Sequence, residues 1–230
     1  VKTGSNGSSG VVHWNETNWR EEGDAMAESG VQGLSDADVL ERFSRIVSKS
    51  LRVDASKVTP DASLTTDLGA ESLDLIEITM ETESEFNIWL PEKNILETAS
   101  DVFGQDVLYK DGQLSEAGKE LLKKRMPESD QHLFTGDVSV EVLTTYFLKV
   151  HSWVRMIQGL AAHTPLTCPT CGAPLAPIAG FRMKCNACGH EVALRSGEEL
   201  NREWVKEYYE KEYLPAQGTP ASTADAAPSA

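Results

Sequence analysis

All four cysteines of the chain fall in one short stretch, as Cys168-Pro-Thr-Cys171 and Cys185-Asn-Ala-Cys188, with thirteen residues between the two pairs. A disulfide scaffold would spread its cysteines through the sequence. Paired C-x2-C spacing in one segment instead points to metal binding in a reducing compartment. Four thiolates at this spacing suit tetrahedral Zn²⁺, each pair clasping one side. Gly172 and Gly189 directly follow the second cysteine of each pair, where the backbone must turn tightly. With every position filled by protein, such a site is structural, not catalytic. His163 and His190 lie nearby in sequence and read as surface histidines. A redox reading would need a single C-x-x-C beside a βαβ pattern, and that pattern is missing.

The rest of the chain must fold around other signals. Its 230 residues allow one or two small domains, and a hydrophobic content of 40% is enough for a buried core. A net charge of −15 repels nucleic-acid phosphates and anionic membrane surfaces and suits basic protein partners. No apolar run approaches the roughly 18 to 20 residues of a membrane-spanning helix. No secretory signal is visible, so a cytoplasmic location is expected.

Residues 1–33 read as a flexible tail with isolated Trp14 and Trp19 and at most a short helical piece; the first ten are a native tail or a tag remnant. Ser35 is a good N-cap, with Asp38 in capping-box position. Val39, Leu40, Phe43, Ile46 and Val47 then recur at helical spacing, predicting a helix over 36–51. The long connection 52–69 is punctuated by Val53, Val58, Leu64 and Leu68, which could pin it across a helical core. A second helix should run from residue 71 or 72 to Phe86. Leu73, Ile76 and Met80 form its apolar stripe, widened by Leu75, Ile78 and Phe86, opposite an acidic face of Asp74, Glu77, Glu81 and Glu85. Pro91 suits the first turn of a short helix, and Ser100 suits the cap of another.

Helical runs continue beyond residue 110. Ser115, Ser139 and Ser152 are candidate caps. Lys123, Lys124 and Arg125 complement the dipole at the end of the helix that Pro127 stops. Tyr146, Phe147, Trp153 and Ile157 are too apolar to stand in water, so residues 111–162 are expected to pack on the preceding bundle or to pair in a dimer. The cysteine region is turn-rich and alternating, a hairpin texture. A charged helix and a polar tail follow. The expected organisation is a tail (1–33), a helical bundle (34–110), a helical extension (111–162), a cysteine module (163–196), a terminal helix (197–214) and a disordered tail (215–230). The fold class is therefore mainly α, with a small C-terminal module of β-hairpins.

The stretch DLGAESLDLIEI, Asp67 to Ile78, sets a lone serine at the head of an acidic helix with no histidine close by to activate it. Taken alone, Ser72 reads as an N-cap and the carboxylates as a solvated face. The whole segment, with helix, long loop, Asp67-Leu68-Gly69 and Ser72-Leu73 in order, resembles the acyl carrier protein family, which is a small helical bundle. The family's usual Asp-Ser-Leu is here Glu71-Ser72-Leu73, which keeps the negative charge.

That resemblance implies that Ser72 carries 4′-phosphopantetheine, placed there from coenzyme A by a phosphopantetheinyl transferase. Acyl groups would ride as thioesters on the arm's thiol, in fatty acid, lipid or secondary-metabolite synthesis. It implies that Glu71, Leu73, Asp74, Glu77 and Glu81 dock onto basic patches of loading and processing enzymes. The chain would then be no enzyme itself but a substrate of others. The cysteine segment resembles a zinc ribbon. The alternative is a carrier-like adaptor that is never loaded and whose ribbon recruits a protein partner.

Overall fold

The computed structural model describes residues 34–129 and 131–216. The expectations for Trp14, Trp19 and the N-terminal tail lie outside them, as does the C-terminal tail from residue 217 on; residues 215 and 216 still belong to a short helix, Leu214–Ala216. Helix α1 (Asp36–Leu51) begins as expected: the Asp38 N–H donates to the Ser35 hydroxyl, and the Ser35 N–H donates to the Asp38 carboxylate at 2.9 Å. It buries Val39, Phe43 and Val47 and stops where Arg52 turns left-handed at φ 54°.

The connection to α2 (Ser72–Phe86) is ordered. Val58, Leu64, Leu68 and Ala70 are buried along it. The Asp67 carboxylate accepts the Ser63 N–H at 2.8 Å, and the Leu64 carbonyl accepts the Ala70 N–H at 2.8 Å. Gly69, at φ 75°, makes the entry to α2 in a conformation that L residues resist.

Helix α2 buries Ile78, Thr82 and Phe86. The expected core stripe is the exposed one: Leu73, Ile76 and Met80 are 80%, 57% and 64% exposed. The helix carries two apolar faces, and only one fits against α1.

Helix α3 (Ile95–Phe103) starts earlier than the Ser100 cap would place it. Asn94 caps it, accepting the Leu96 and Glu97 N–H groups at 3.0 Å. Ser100 lies inside the helix and donates to the Leu96 carbonyl. Pro91 precedes the helix, outside its first turn. A short α4 (Gln105–Leu108) and a two-residue hairpin, β1 (Tyr109–Lys110) with β2 (Gln113–Leu114), lead to α5 (Glu116–Arg125), which Ser115 caps. Ser139 caps α6 (Val140–Phe147) as expected. Ser152 does not cap α7 (Val150–Ala161); the cap position is Lys149, and Ser152 bonds back to the Tyr146 carbonyl.

The helices divide between two cores. Helices α1, α2 and α7 share the first, where Trp153 of α7 stacks on Phe43 of α1 at 5.3 Å. The Leu148 carbonyl accepts the Leu64 N–H, and the Val150 N–H donates to the Ala62 carbonyl. These bonds tie the α6–α7 junction to the loop before α2. Helices α3 and α5 share the second core with α8 (Gly197–Tyr208), through residues such as Phe103, Leu121, Leu122 and Val205. A single π-helical turn, Tyr209–Tyr213, extends α8 and sets Tyr209 and Tyr213 edge-on against Phe103.

Between α7 and α8 runs an antiparallel sheet of β3 (Leu175–Ile178), β4 (Arg182–Cys185) and β5 (Glu191–Ala193), in that order. Mainly helical with this small C-terminal sheet is thus the fold. The sheet does not hang free. Phe181 stacks on Trp89 at 4.7 Å and 7°, and the Asn87 amide meets the Met183 sulfur at 2.8 Å. The Gly197 N–H donates to the Trp89 carbonyl at 2.7 Å, and a Cβ at Gly197 would stand 2.6 Å from the Pro91 nitrogen. Among the described residues no helix is long and apolar enough to cross a membrane.

Candidate functional site

Ser72 occupies the first helical position of α2, and Glu71 holds the cap position with extended backbone. The Asp74 carboxylate accepts the Glu71 N–H at 2.8 Å. A carboxylate therefore does the capping, and Ser72 is exposed with its hydroxyl making no hydrogen bond among the described residues. The first N–H groups of a helix lack intrahelical acceptors and carry the positive end of its dipole. An exposed hydroxyl there is open to another enzyme, and a phosphodiester on it would be electrostatically favoured.

The residues expected to surround Ser72 divide into three groups. Glu71 and Asp74 form the cap. Glu77 accepts the Ser50 hydroxyl at 2.8 Å, and Glu81 lies 3.8 Å from Lys49, so both turn toward α1. Leu73, with Ile76 and Met80, makes an exposed apolar stripe that starts beside Ser72. The apolar stripe expected along α2 thus holds Ile76 and Met80 outside the core. The signal that could have placed them outside is the surplus of apolar positions on α2, more than one buried face requires.

The cysteines meet at the opposite end of the chain. Their four sulfurs all lie within 4.8 Å of one another. Cys168 and Cys188 are 3.6 Å apart, and Cys171 lies 3.5 Å from both Cys185 and Cys188. A disulfide needs about 2.05 Å. Four sulfurs at about 2.3 Å from a common Zn²⁺ stand about 3.8 Å apart, so the cluster fits that ion.

The two pairs are built alike. The Gly172 N–H donates to the Cys168 carbonyl and the Gly189 N–H to the Cys185 carbonyl, both at 2.8 Å. Both glycines have positive φ, 71° and 77°. Desolvation raises the Cys168 thiol, but N–H groups of Thr170 and Cys171 on its sulfur and the neighbouring thiols bring it down to about 6. The Cys188 N–H is the main influence lowering Cys185. Backbone donors aimed at sulfur favour thiolate, the form that binds metal, at Cys168 and Cys185, whereas Cys171 and Cys188, against one backbone donor each, are pushed up by the neighbouring thiols. Among the described residues, neither His163 nor His190 joins the cluster.

The family described as phosphopantetheine attachment site matches residues 41–102, a stretch that includes Ser72. The fold and the exposed serine at the head of α2 thus belong to a phosphopantetheine-attachment carrier domain. The acyl carrier protein of Guillardia theta is 42% identical over 59 residues, covering 26% of this chain and 73% of that protein. The acyl carrier protein of Thermosynechococcus vestitus is 39% identical over 71 residues, covering 30% of this chain and 88% of its own. That of Cyanidioschyzon merolae is 41% identical over 59 residues, 26% of this chain and 65% of its own. This chain belongs to the acyl carrier protein family, through a domain that occupies about a third of its length or less.

Proposed function

We propose that the protein carries acyl intermediates as thioesters on a 4′-phosphopantetheine arm attached to Ser72, in fatty acid, lipid or secondary-metabolite synthesis. The observation that carries this reading is the free, exposed Ser72 hydroxyl at the first position of α2, with capping left to Asp74. A phosphopantetheinyl transferase moves the arm from coenzyme A to the hydroxyl: the Ser72 oxygen, losing its proton, bonds to the phosphorus next to the pantetheine, the pyrophosphate bond breaks, and adenosine 3′,5′-bisphosphate leaves. The working thiol then belongs to the arm, and none of the four cysteines is needed for it. Partner enzymes seat the exposed Leu73, Ile76 and Met80 in an apolar groove, while basic patches steer toward Glu71, Asp74, Glu77 and Glu81. The four cysteines hold structural Zn²⁺: Cys168 and Cys171 clasp one side, Cys185 and Cys188 the other. The metal's contribution is to fix the small sheet, which has little core of its own.

Incubation with coenzyme A and a broad-specificity transferase should add the mass of one phosphopantetheine to the full chain. Ser72→Ala should gain none. A wild type that several transferases leave unmodified would contradict the carrier reading.

A further inference from the structure

The cysteine cluster is uneven. Cys168 and Cys185 open the two pairs and are 3% and 0% exposed, while Cys171 and Cys188 close them and stand exposed. The backbone repeats the difference. The Cys168 sulfur receives the N–H groups of Thr170 and Cys171, and the Cys185 sulfur those of Ala187 and Cys188. Cys171 and Cys188 receive one each, from Ala173 and His190. Two sulfurs are thus walled in, and the exposed two lie 3.5 Å apart.

Held as zinc ligands, all four are thiolates. An oxidant reaches the exposed pair first, since attack follows thiolate character and access. Fewer N–H donors also leave that pair the more nucleophilic. Cys171 lies 3.5 Å from Cys185 as well, but that sulfur is buried and holds two N–H groups.

We infer that Cys171 and Cys188 are a peroxide-reactive pair that joins as a disulfide and opens the metal site. The inference rests on the zinc reading of the cluster. One exposed thiolate attacks an oxygen of hydrogen peroxide; the O–O bond breaks, hydroxide leaves and takes a proton from solvent, and a sulfenic acid remains. The other thiolate attacks that sulfur; the S–S bond forms, the S–O bond breaks, and a second hydroxide leaves and is protonated. The two thiolates lose two electrons, and one peroxide becomes two waters. Two thiolates then remain for the metal, too few for a structural site. The change passes to the carrier side because Phe181, at the β3–β4 turn, stacks on Trp89 just beyond the serine helix.

The test uses the full-length chain, loaded with zinc and counted by native mass spectrometry before hydrogen peroxide is added. Peroxide should release the zinc, lower the denatured mass by two hydrogens, and give one disulfide, assigned to Cys171 and Cys188 by fragment-ion sequencing. It should do so at doses that leave the exposed Met80 thioether unoxidised. Dithiothreitol with fresh zinc should restore the starting mass. Amide hydrogen exchange at residues 87–90 should quicken on release and slow again on repair. Zinc kept at doses that convert Met80 to its sulfoxide would overturn the inference. So would a disulfide through Cys168 or Cys185, or release that leaves exchange at residues 87–90 unchanged. A chain that takes up no zinc at the outset fails earlier, at the metal reading itself, and takes this inference with it.

Discussion

Ser72 stands exposed at the head of α2 with its hydroxyl making no hydrogen bond among the described residues, whereas the four cysteines turn their sulfurs inward on one another. The first arrangement invites chemistry from another protein and completes nothing by itself. The second closes on itself and leaves no open position for a substrate. On the proposed reading, the first site offers a hydroxyl for covalent modification and the second offers thiols for a metal held only while the fold lasts. The two sites are still mechanically linked. Residues 87–91 leave the C-terminal end of the serine-bearing helix and form the surface on which the cysteine sheet and the start of α8 rest.

Removing metal from the cysteine cluster should have the largest effect on stability, because structural zinc binding is worth on the order of 10 kcal/mol. Chelation should unfold the sheet. Through the Phe181–Trp89 and Met183–Asn87 contacts it should also speed amide hydrogen exchange at residues 87–90. Exchange over residues 39–47 in α1 should stay slow. Unchanged exchange at Trp89 after metal loss would mean that the two regions are independent.

Trp153→Ala acts on the other side of the comparison, in the core beneath the serine helix. It removes a 7% exposed ring stacked on Phe43. The expected loss is about 3–5 kcal/mol, measured by denaturant unfolding, since a cavity remains that the surroundings fill only partly. The zinc content of the folded fraction should not change. A loss under about 1 kcal/mol would mean that α7 does not complete the carrier core.

What the sequence disclosed follows how local each interaction is. The cysteine cluster was legible because two residues of spacing already encode the knuckle, and the positive φ of Gly172 and Gly189 follows from it. Ser35 and Ser115 were legible as caps for the same reason. Where two cap signals lie close together, the wrong one can be chosen: Asn94 with Glu97 forms the capping box, while Ser100 looked equally suitable. The buried face of α2 was illegible because its apolar residues occupy two faces, and α1 decides between them. Least legible was the partition into two cores. Nothing near Trp153 names Phe43 as its partner, and nothing near Phe103 names Tyr209 and Tyr213.

The smallest expected effect is on pH dependence. Desolvation first, and then the Lys149 charge, hold the His151 imidazole below its ordinary value, against the Asp61 carboxylate 3.6 Å away. The unfolded chain therefore takes up this proton at higher pH than the folded one. The contribution of His151 to stability is present above the unfolded value of about 6.5 and falls as pH drops through it. Thermal melts between pH 7.5 and 5.5 should show a shallower decline for His151→Gln than for wild type. Parallel declines would assign the dependence to other groups.

The measurement that tests the two-site account most directly is a pair of mass spectra, native and denaturing, on one sample of the full chain treated with coenzyme A, a transferase and zinc. The native spectrum should show one phosphopantetheine and one zinc per chain. The denaturing spectrum should keep the phosphopantetheine, because it is a covalent ester of Ser72, and lose the zinc, because only the folded cysteine cluster holds it. A wild type with no covalent gain, or a gain that persists in Ser72→Ala, would contradict the account.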